Sequence, residues 1–207
     1  MKGYRYAGMF RAGLVLAVLA LAGCAGPARE PDVFVLGDAA PARATEVSQL
    51  NDPVVELRPV RIPDYLDTTD ILVRQADGRV IPSASGHWGE RLSIGMTRAV
   101  ALALTAHLPN VTVTRVPPID DPRWQVTIFV DAFEVRAGGE CVLAGRWTVR
   151  QGREGAERAE ERFSLVTPVL SQGDAAVVAA MTHQVDELAV QIAARLDGSD
   201  ETRSSRQ

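Results

Sequence analysis

Residues 124–150 read WQVTIFVDAFEVRAGGECVLAGRWTVR, and this stretch decides the fold. Apolar and polar side chains alternate from Trp124, which is the pattern of a β-strand with one buried face. The apolar positions change parity near Ala132, so we expect a β-bulge there. The two glycines at 138 and 139 permit a tight reversal, and alternation resumes from Cys141. The stretch therefore predicts a long antiparallel hairpin.

The segments that follow the hairpin predict one more strand and a closing helix. Residues 162–167 supply a third strand, so the three strands form an antiparallel meander, and the charged segment 152–160 predicts a turn. Apolar residues then recur at spacings of three and four up to Leu196, which indicates an amphipathic helix. Asp174 is its expected N-cap. The polar residues 198–207 predict a disordered tail.

The segments that precede the hairpin predict short strands and a first helix. Two β-prone runs flank Asp77-Gly78, which is a hairpin signal. Apolar residues then repeat every four positions from Trp88 to Leu108, which predicts a helix whose N-cap would be Ser83 or Ser85. The order of strands, helix, strands, helix predicts an α+β fold for residues 33–197, with a single mixed, largely antiparallel sheet and two amphipathic helices packed on one face.

The N-terminus has the order of a secretory signal. Basic residues precede an apolar run at 12–21, and small residues follow. The run is too short for a membrane span, which needs about 20 residues. Residues 21–24 (LAGC) resemble a bacterial lipobox, in which the cysteine becomes the lipidated first residue. We therefore expect a signal peptide over 1–23, lipidation of Cys24 and a tether over 24–32. Ala25 in place of an aspartate resembles the sorting pattern for the outer membrane.

The charge of the chain argues against nucleic acid as a partner. The formal charge is −4, and loss of the three basic residues of the signal would make it −7. We therefore expect attachment to the membrane through the N-terminal lipid rather than through a basic patch. Cys141 would be the sole remaining free thiol, so no internal disulfide is expected. It would pack as a small hydrophobe.

The sequence contains no recognisable catalytic motif. It has no nucleophile elbow, P-loop or zinc-protease signature, and its three histidines are scattered. A periplasmic hydrolase that uses Ser83 or Ser85 with His87 is a minor hypothesis. Asp64, Asp67 and Asp70 fit turn positions better than a calcium loop. We expect no enzyme, no metal site and no cofactor.

Several motifs occur together in the order that is typical of one family. They are residues 63–67 (PDYLD) followed by Arg74, residues 88–92 (WGERL), residues 143–147 (LAGRW), the lipobox and the closing helix. In these features the chain resembles the ABC-type transport auxiliary lipoproteins.

This resemblance implies a transport role without an active site. Members of the family work with an MCE-domain periplasmic protein and its inner-membrane transport components to move lipids or other hydrophobic substrates between membranes. The lipoprotein would act as the docking component at the periplasmic face of the outer membrane.

The expected partner-binding residues are Tyr65, Leu66 and Trp88, because aromatic and aliphatic groups are common interface anchors. The alternative that these residues seal the core or the sheet edge stays open, and so does self-association into a homo-oligomer. A structural envelope-integrity lipoprotein without a transport role is the alternative function.

Overall fold

The computed structural model describes residues 30–37 and 52–204, with side chains described up to residue 197. The described part contains the following elements: β1 (Asp32–Phe34), β2 (Val54–Leu57), β3 (Asp70–Arg74), β4 (Val80–Trp88), α1 (Leu92–His107), β5 (Thr112–Thr114), β6 (Trp124–Arg136), β7 (Glu140–Gln151), β8 (Glu157–Pro168) and α2 (Asp174–Ser204). The predicted signal peptide, Cys24 and the tether up to residue 29 lie outside the described residues.

The meander of β6, β7 and β8 is confirmed. β6 and β7 pair antiparallel along their length, and the register shifts between Val130 and Ala132, so the expected bulge is present. β7 then pairs antiparallel with β8. β8 begins at Glu157, five residues before the predicted start, because the charged segment 157–161 pairs with β7 as the outer strand of the meander.

β6 is the branch point of the sheet. On the edge away from β7, its first half pairs in parallel with β2 (Val55 opposite Trp124) and its second half pairs in parallel with β3 (Val73 opposite Val135). β5 continues the sheet beyond β2, and β4 and then β1 continue it beyond β3. One strand therefore joins three groups of neighbours in a mixed, open sheet.

Both helices cover one face of this sheet, as the sequence predicts. α1 and α2 pack against each other, and their apolar residues join those of the strands in one core. Met96 from α1, Leu188 from α2 and Trp147 from β7 are fully buried there. The fold class is α+β, and no helix of the described residues covers the opposite face. Over the described residues, neither helix is both long and apolar enough to cross a membrane.

The helix boundaries differ from the prediction at two places. α1 begins at Leu92, and Trp88, Ser83 and Ser85 belong to β4, because β4 pairs with both β3 and β1 and so extends through them. The serines therefore do not cap α1. α2 continues to Ser204 through part of the predicted disordered tail. A single glycine such as Gly198 does not end a helix.

Candidate docking site

A turn over residues 63–67 sends neighbouring side chains to opposite sides of the chain. The Leu66 amide donates to the Pro63 carbonyl at 2.9 Å, and the Asp67 amide donates to the Asp64 carbonyl at 3.2 Å. Tyr65 points outward and is 44% exposed, whereas Leu66 is fully buried in the core. The turn thus fixes one aromatic side chain on the surface.

Arg74 and Glu134 hold the Tyr65 hydroxyl in place. Glu134 is only 3% exposed, and it accepts two hydrogen bonds from Arg74, one from Nε and one from Nη2, the second at 2.8 Å. Arg74 Nη2 also donates to the Tyr65 hydroxyl at 3.2 Å, and the hydroxyl lies 3.5 Å from Glu134 Oε2. We call these three residues the Tyr65 cluster. A bidentate arginine–carboxylate pair is rigid, so the ring has a fixed position.

The electrostatics of the Tyr65 cluster keep both Tyr65 and Arg74 protonated at neutral pH. Burial, together with the Glu134 carboxylate, raises the pKa of the Tyr65 hydroxyl. The hydrogen bonds to Glu134 raise the pKa of the Arg74 guanidinium. Tyr65 therefore remains a neutral hydroxyl and Arg74 a cation. The cluster presents an aromatic ring that is backed by a neutralised charge pair.

Asp67 connects the same turn to the start of α1. Its carboxylate accepts the Ser93 amide at 3.0 Å in the first turn of α1, and it pairs with Arg91. Burial raises the pKa of the Asp67 carboxyl, but the hydrogen bonds from Ser93 and Arg91 outweigh this effect and leave it below its ordinary value. Asp67 therefore caps the helix from outside it, in the place of Ser83 or Ser85.

The three predicted partner-binding residues differ in how exposed they are. Leu66 and Trp88 are packed in the core, Trp88 with only 3% exposure at the end of β4. Of the three predicted residues, Tyr65 alone offers a surface to a partner. The reason is that removal of a large apolar side chain from water is favourable, and the core gives Leu66 and Trp88 more apolar contact than the surface does.

Sequence reasoning missed Glu134. The residue lies just after the bulge, on the face away from the helices, with apolar residues around it in β6. The available signal was a carboxylate between the apolar strand residues Phe133 and Val135, together with Arg74, the arginine that follows the PDYLD motif. What the sequence could not show is that β3 pairs with the second half of β6 and so brings Arg74 to Glu134.

The proposed Ser–His arrangement does not form a hydrogen-bonded unit. The Ser83 hydroxyl donates to Asp174 at 2.8 Å and the Ser85 hydroxyl donates to it at 2.7 Å. Within the described residues, no hydrogen bond joins His87 to either serine. The serines instead hold the first residue of α2 against β4. The hydrolase hypothesis therefore lacks the contact that would activate a nucleophile.

The acidic residues, histidines and cysteine of the described residues show no sign of a metal site or a reactive thiol. No group of three histidine, cysteine, aspartate or glutamate residues there has the arrangement of a metal site. Cys141 is a free, fully buried thiol, and burial raises its pKa to about 11. Gln184 lies beside it and donates to the Cys141 and Leu165 carbonyls. Cys141 therefore packs in the core and does not have the lowered pKa of a reactive thiol.

Comparison with known proteins gives a consistent family and fold. The sequence matches the family of ABC-type transport auxiliary lipoprotein components over residues 34–193. The fold is similar to that of an uncharacterised protein of known crystal structure, with a TM-score of 0.69 and 18% identity over 81% of this chain and 99% of the other. It is also similar to protein XCC0632 from Xanthomonas campestris, with a TM-score of 0.62 and 17% identity over 84% of this chain and 97% of the other. No curated protein matches significantly.

The class that these observations define is an α+β lipoprotein domain. The chain belongs to the ABC-type transport auxiliary lipoprotein family, because the match spans most of its length. This family is one of transport auxiliary components.

Proposed function

We propose that this protein is a lipid-anchored docking subunit of an MCE-type intermembrane transport system. It acts at the periplasmic face of the outer membrane, where Cys24 carries the lipid. It binds an MCE-domain periplasmic protein that is linked to inner-membrane transport components. Membership of the family supports the auxiliary role in transport, and the signal peptide with its lipobox-like ending supports the anchor.

The observation that carries this proposal is the fixed, exposed ring of Tyr65. Tyrosine is enriched among the residues that dominate binding energy at interfaces. A ring already held by Arg74 and Glu134 loses little conformational freedom when a partner covers it. Tyr65 is also the large apolar side chain that the PDYLD motif exposes.

The test is a crosslinking pull-down of the native lipidated protein from envelopes, with the recovered proteins identified by mass spectrometry. Three variants accompany it: Cys24→Ala, Tyr65→Ala and, as a matched surface control, Leu170→Ala. Leu170 is 92% exposed and lies in the loop after β8. Recovery of an MCE protein with the native form and with Leu170→Ala, but not with Cys24→Ala, is the expected result.

The Tyr65→Ala variant distinguishes the docking surface from the anchor. A residue that dominates binding contributes about 2 kcal/mol or more, so recovery of the MCE protein should fall about 30-fold. A urea unfolding curve like that of the native protein shows that the variant is folded. If no MCE protein is recovered with any form, the docking role is wrong. Recovery of outer-membrane or cell-wall proteins alone favours the structural envelope-integrity role.

A further inference from the structure

The face of the sheet away from the helices contains a basic groove of about 620 Å³. It lies between β6, β7 and residues 58–61, which follow β2. Five arginines line it: Arg58, Arg61, Arg146, Arg150 and Arg153. Its floor consists of side chains that β6 and β7 direct away from the core, among them Gln125, Phe129 and Thr148. The negative net charge of the sequence argues against a basic patch. The local excess of arginine becomes visible only in the structure.

Backbone pairing fixes both walls of the groove. On one side, the amides of Arg58 and Arg61 donate to β6 carbonyls at 2.9 and 3.0 Å. On the other side, Arg146 and Arg150 share one face of β7, opposite Phe129 and Gln125 of β6. The spacing of the arginines is therefore set by the sheet before any ligand arrives.

Two further interactions orient the arginine side chains. The Phe129 ring lies under the Arg146 guanidinium at 3.9 Å and under that of Arg61 at 5.4 Å, measured to the ring centroid. Stacking of this kind holds the planar guanidinium and leaves its edge donors available. The second interaction involves Glu56, which is 2% exposed and accepts from Arg58 at 3.2 Å and from Gln125 at 3.1 Å.

The positive charge of the groove is only partly neutralised. Glu56 lies 3.2 Å from Arg58 and 4.0 Å from Arg153, and Glu157 is part of the lining. Arg146 also reaches Glu160 on β8, at 3.5 Å. In the described part of the chain, no carboxylate is paired with Arg61 or Arg150. Like charges held this close repel one another, so binding of an anion would relieve the repulsion.

We propose that the groove is a binding site for a phosphate-bearing ligand. Guanidinium groups bind phosphate oxygens through paired donors. A phosphate group is compact and has acceptor oxygens on every side, so several arginines that line one groove can bind it together. Most of the lining residues are charged or polar, so a phospholipid would insert its headgroup. An acidic peptide would spread its carboxylates along an extended chain, with same-face residues about 7 Å apart, and would match this concentration of donors less well.

The test is titration calorimetry on the full-length chain in an uncharged detergent. The probes are inorganic phosphate, dihexanoyl phosphatidylglycerol below its micelle concentration, and hexaglutamate. The groove variant is R61Q/R150Q, and the matched control is R79Q/R136Q, which removes the same charge at the β3–β4 turn and at the far end of β6. We expect about tenfold or greater weakening of phosphate-ligand binding in the groove variant and less than about twofold in the control.

Each outcome decides the proposal. Tighter binding of the phosphatidylglycerol than of phosphate supports the site and identifies a lipid headgroup, whereas equal binding supports it with free phosphate as the source. A lack of binding by both phosphate ligands, equal weakening in the two variants, or tighter binding of hexaglutamate would each overturn it. Circular dichroism confirms that both variants fold. No partner is present in this experiment, so its result is independent of the docking role.

Discussion

At the residue scale, Asp67 joins the turn over residues 63–67 to the start of α1 through one carboxylate. It follows the turn that exposes Tyr65, it accepts the Ser93 amide of α1, and it pairs with Arg91. The helix has no cap from Arg91, the residue that immediately precedes it. The PDYLD motif therefore contributes to the fold through Leu66 and Asp67 and to the surface through Tyr65.

Replacement of Asp67 by alanine should destabilise the protein by about 1 kcal/mol, because it removes the cap of α1. The matched control is Asp64→Ala in the same turn, because the side chain of Asp64 has no hydrogen bond among those of the described residues. Urea unfolding at pH 7 measures both variants. Equal destabilisation by the two substitutions would contradict the capping role.

The effect of Asp67 should depend on pH in a defined direction. Its folded-state pKa lies below the ordinary value of 3.8, so its contribution to stability is complete above that value and is lost as the pH falls through the folded-state pKa. The difference in unfolding free energy between the native protein and Asp67→Ala should therefore narrow below about pH 4. A constant difference down to pH 2 would contradict this assignment.

Arg74 compensates a buried charge, so its loss should be costly. Arg74→Met leaves the Glu134 carboxylate, 4% exposed, with only the Tyr65 hydroxyl as a donor from the cluster. We expect a loss of about 3 kcal/mol in the free energy of unfolding. The exposed pair of Arg79 and Asp77 gives the control, and Arg79→Met should cost less than about 1 kcal/mol. The double variant R74M/E134L should recover part of the loss, and the prediction fails if it does not.

At the scale of elements, the β6–β7 hairpin depends on Gly145 beside the bulge. A Cβ at this position would lie 2.1 Å from the Phe129 carbonyl oxygen and 3.0 Å from the Val130 Cα. Both contacts are with backbone, which cannot rotate away. The close approach of the two strands at the bulge therefore requires glycine.

Gly145→Ala should lower the free energy of unfolding by at least about 2 kcal/mol through overpacking. Gly138 in the turn of the same hairpin is the control, because a Cβ there meets no atom within 4 Å. Chemical denaturation compares the two variants. Similar stability of both would show that the strands can separate at the bulge without cost.

The elements that could be predicted from the sequence are those with a local pattern. Alternation from Trp124 predicts β6 and its bulge, and apolar spacing predicts both helices. The start of α1 was misplaced because Trp88 fits both periods: it ends β4 and also lies four residues before Leu92. Its assignment depends on pairing with β1 and β3, which no local pattern contains.

At the scale of the whole molecule, the branched sheet makes the described residues 32–37 and 52–197 one cooperative unit. β6 contacts three other strands, and all the buried apolar residues of the described chain except Val142 form one core. The basic groove also exists only at this scale, because its arginines come from segments about 90 positions apart. The outward alternation of Arg146 and Arg150 was visible in the sequence, but the facing wall of residues 58–61 was not.

We expect a single unfolding transition for this unit. Its three tryptophans, Trp88, Trp124 and Trp147, are buried in different parts of the sheet. Tryptophan fluorescence and far-ultraviolet circular dichroism should therefore give the same midpoint in urea. Separate midpoints would show that the two arms beyond β6 unfold independently.

The position of β1 gives the molecule a defined response to mechanical load. β1 runs parallel to β4, with Phe34 opposite Trp88, and the Leu36 carbonyl just beyond it accepts from Arg98 of α1 at 2.8 Å. A force applied to the chain ahead of Asp32 along the strand axis would load these bonds together in shear, rather than peel them apart one by one. Tension at this end of the domain would therefore be transmitted into the sheet and the first helix before β1 detached.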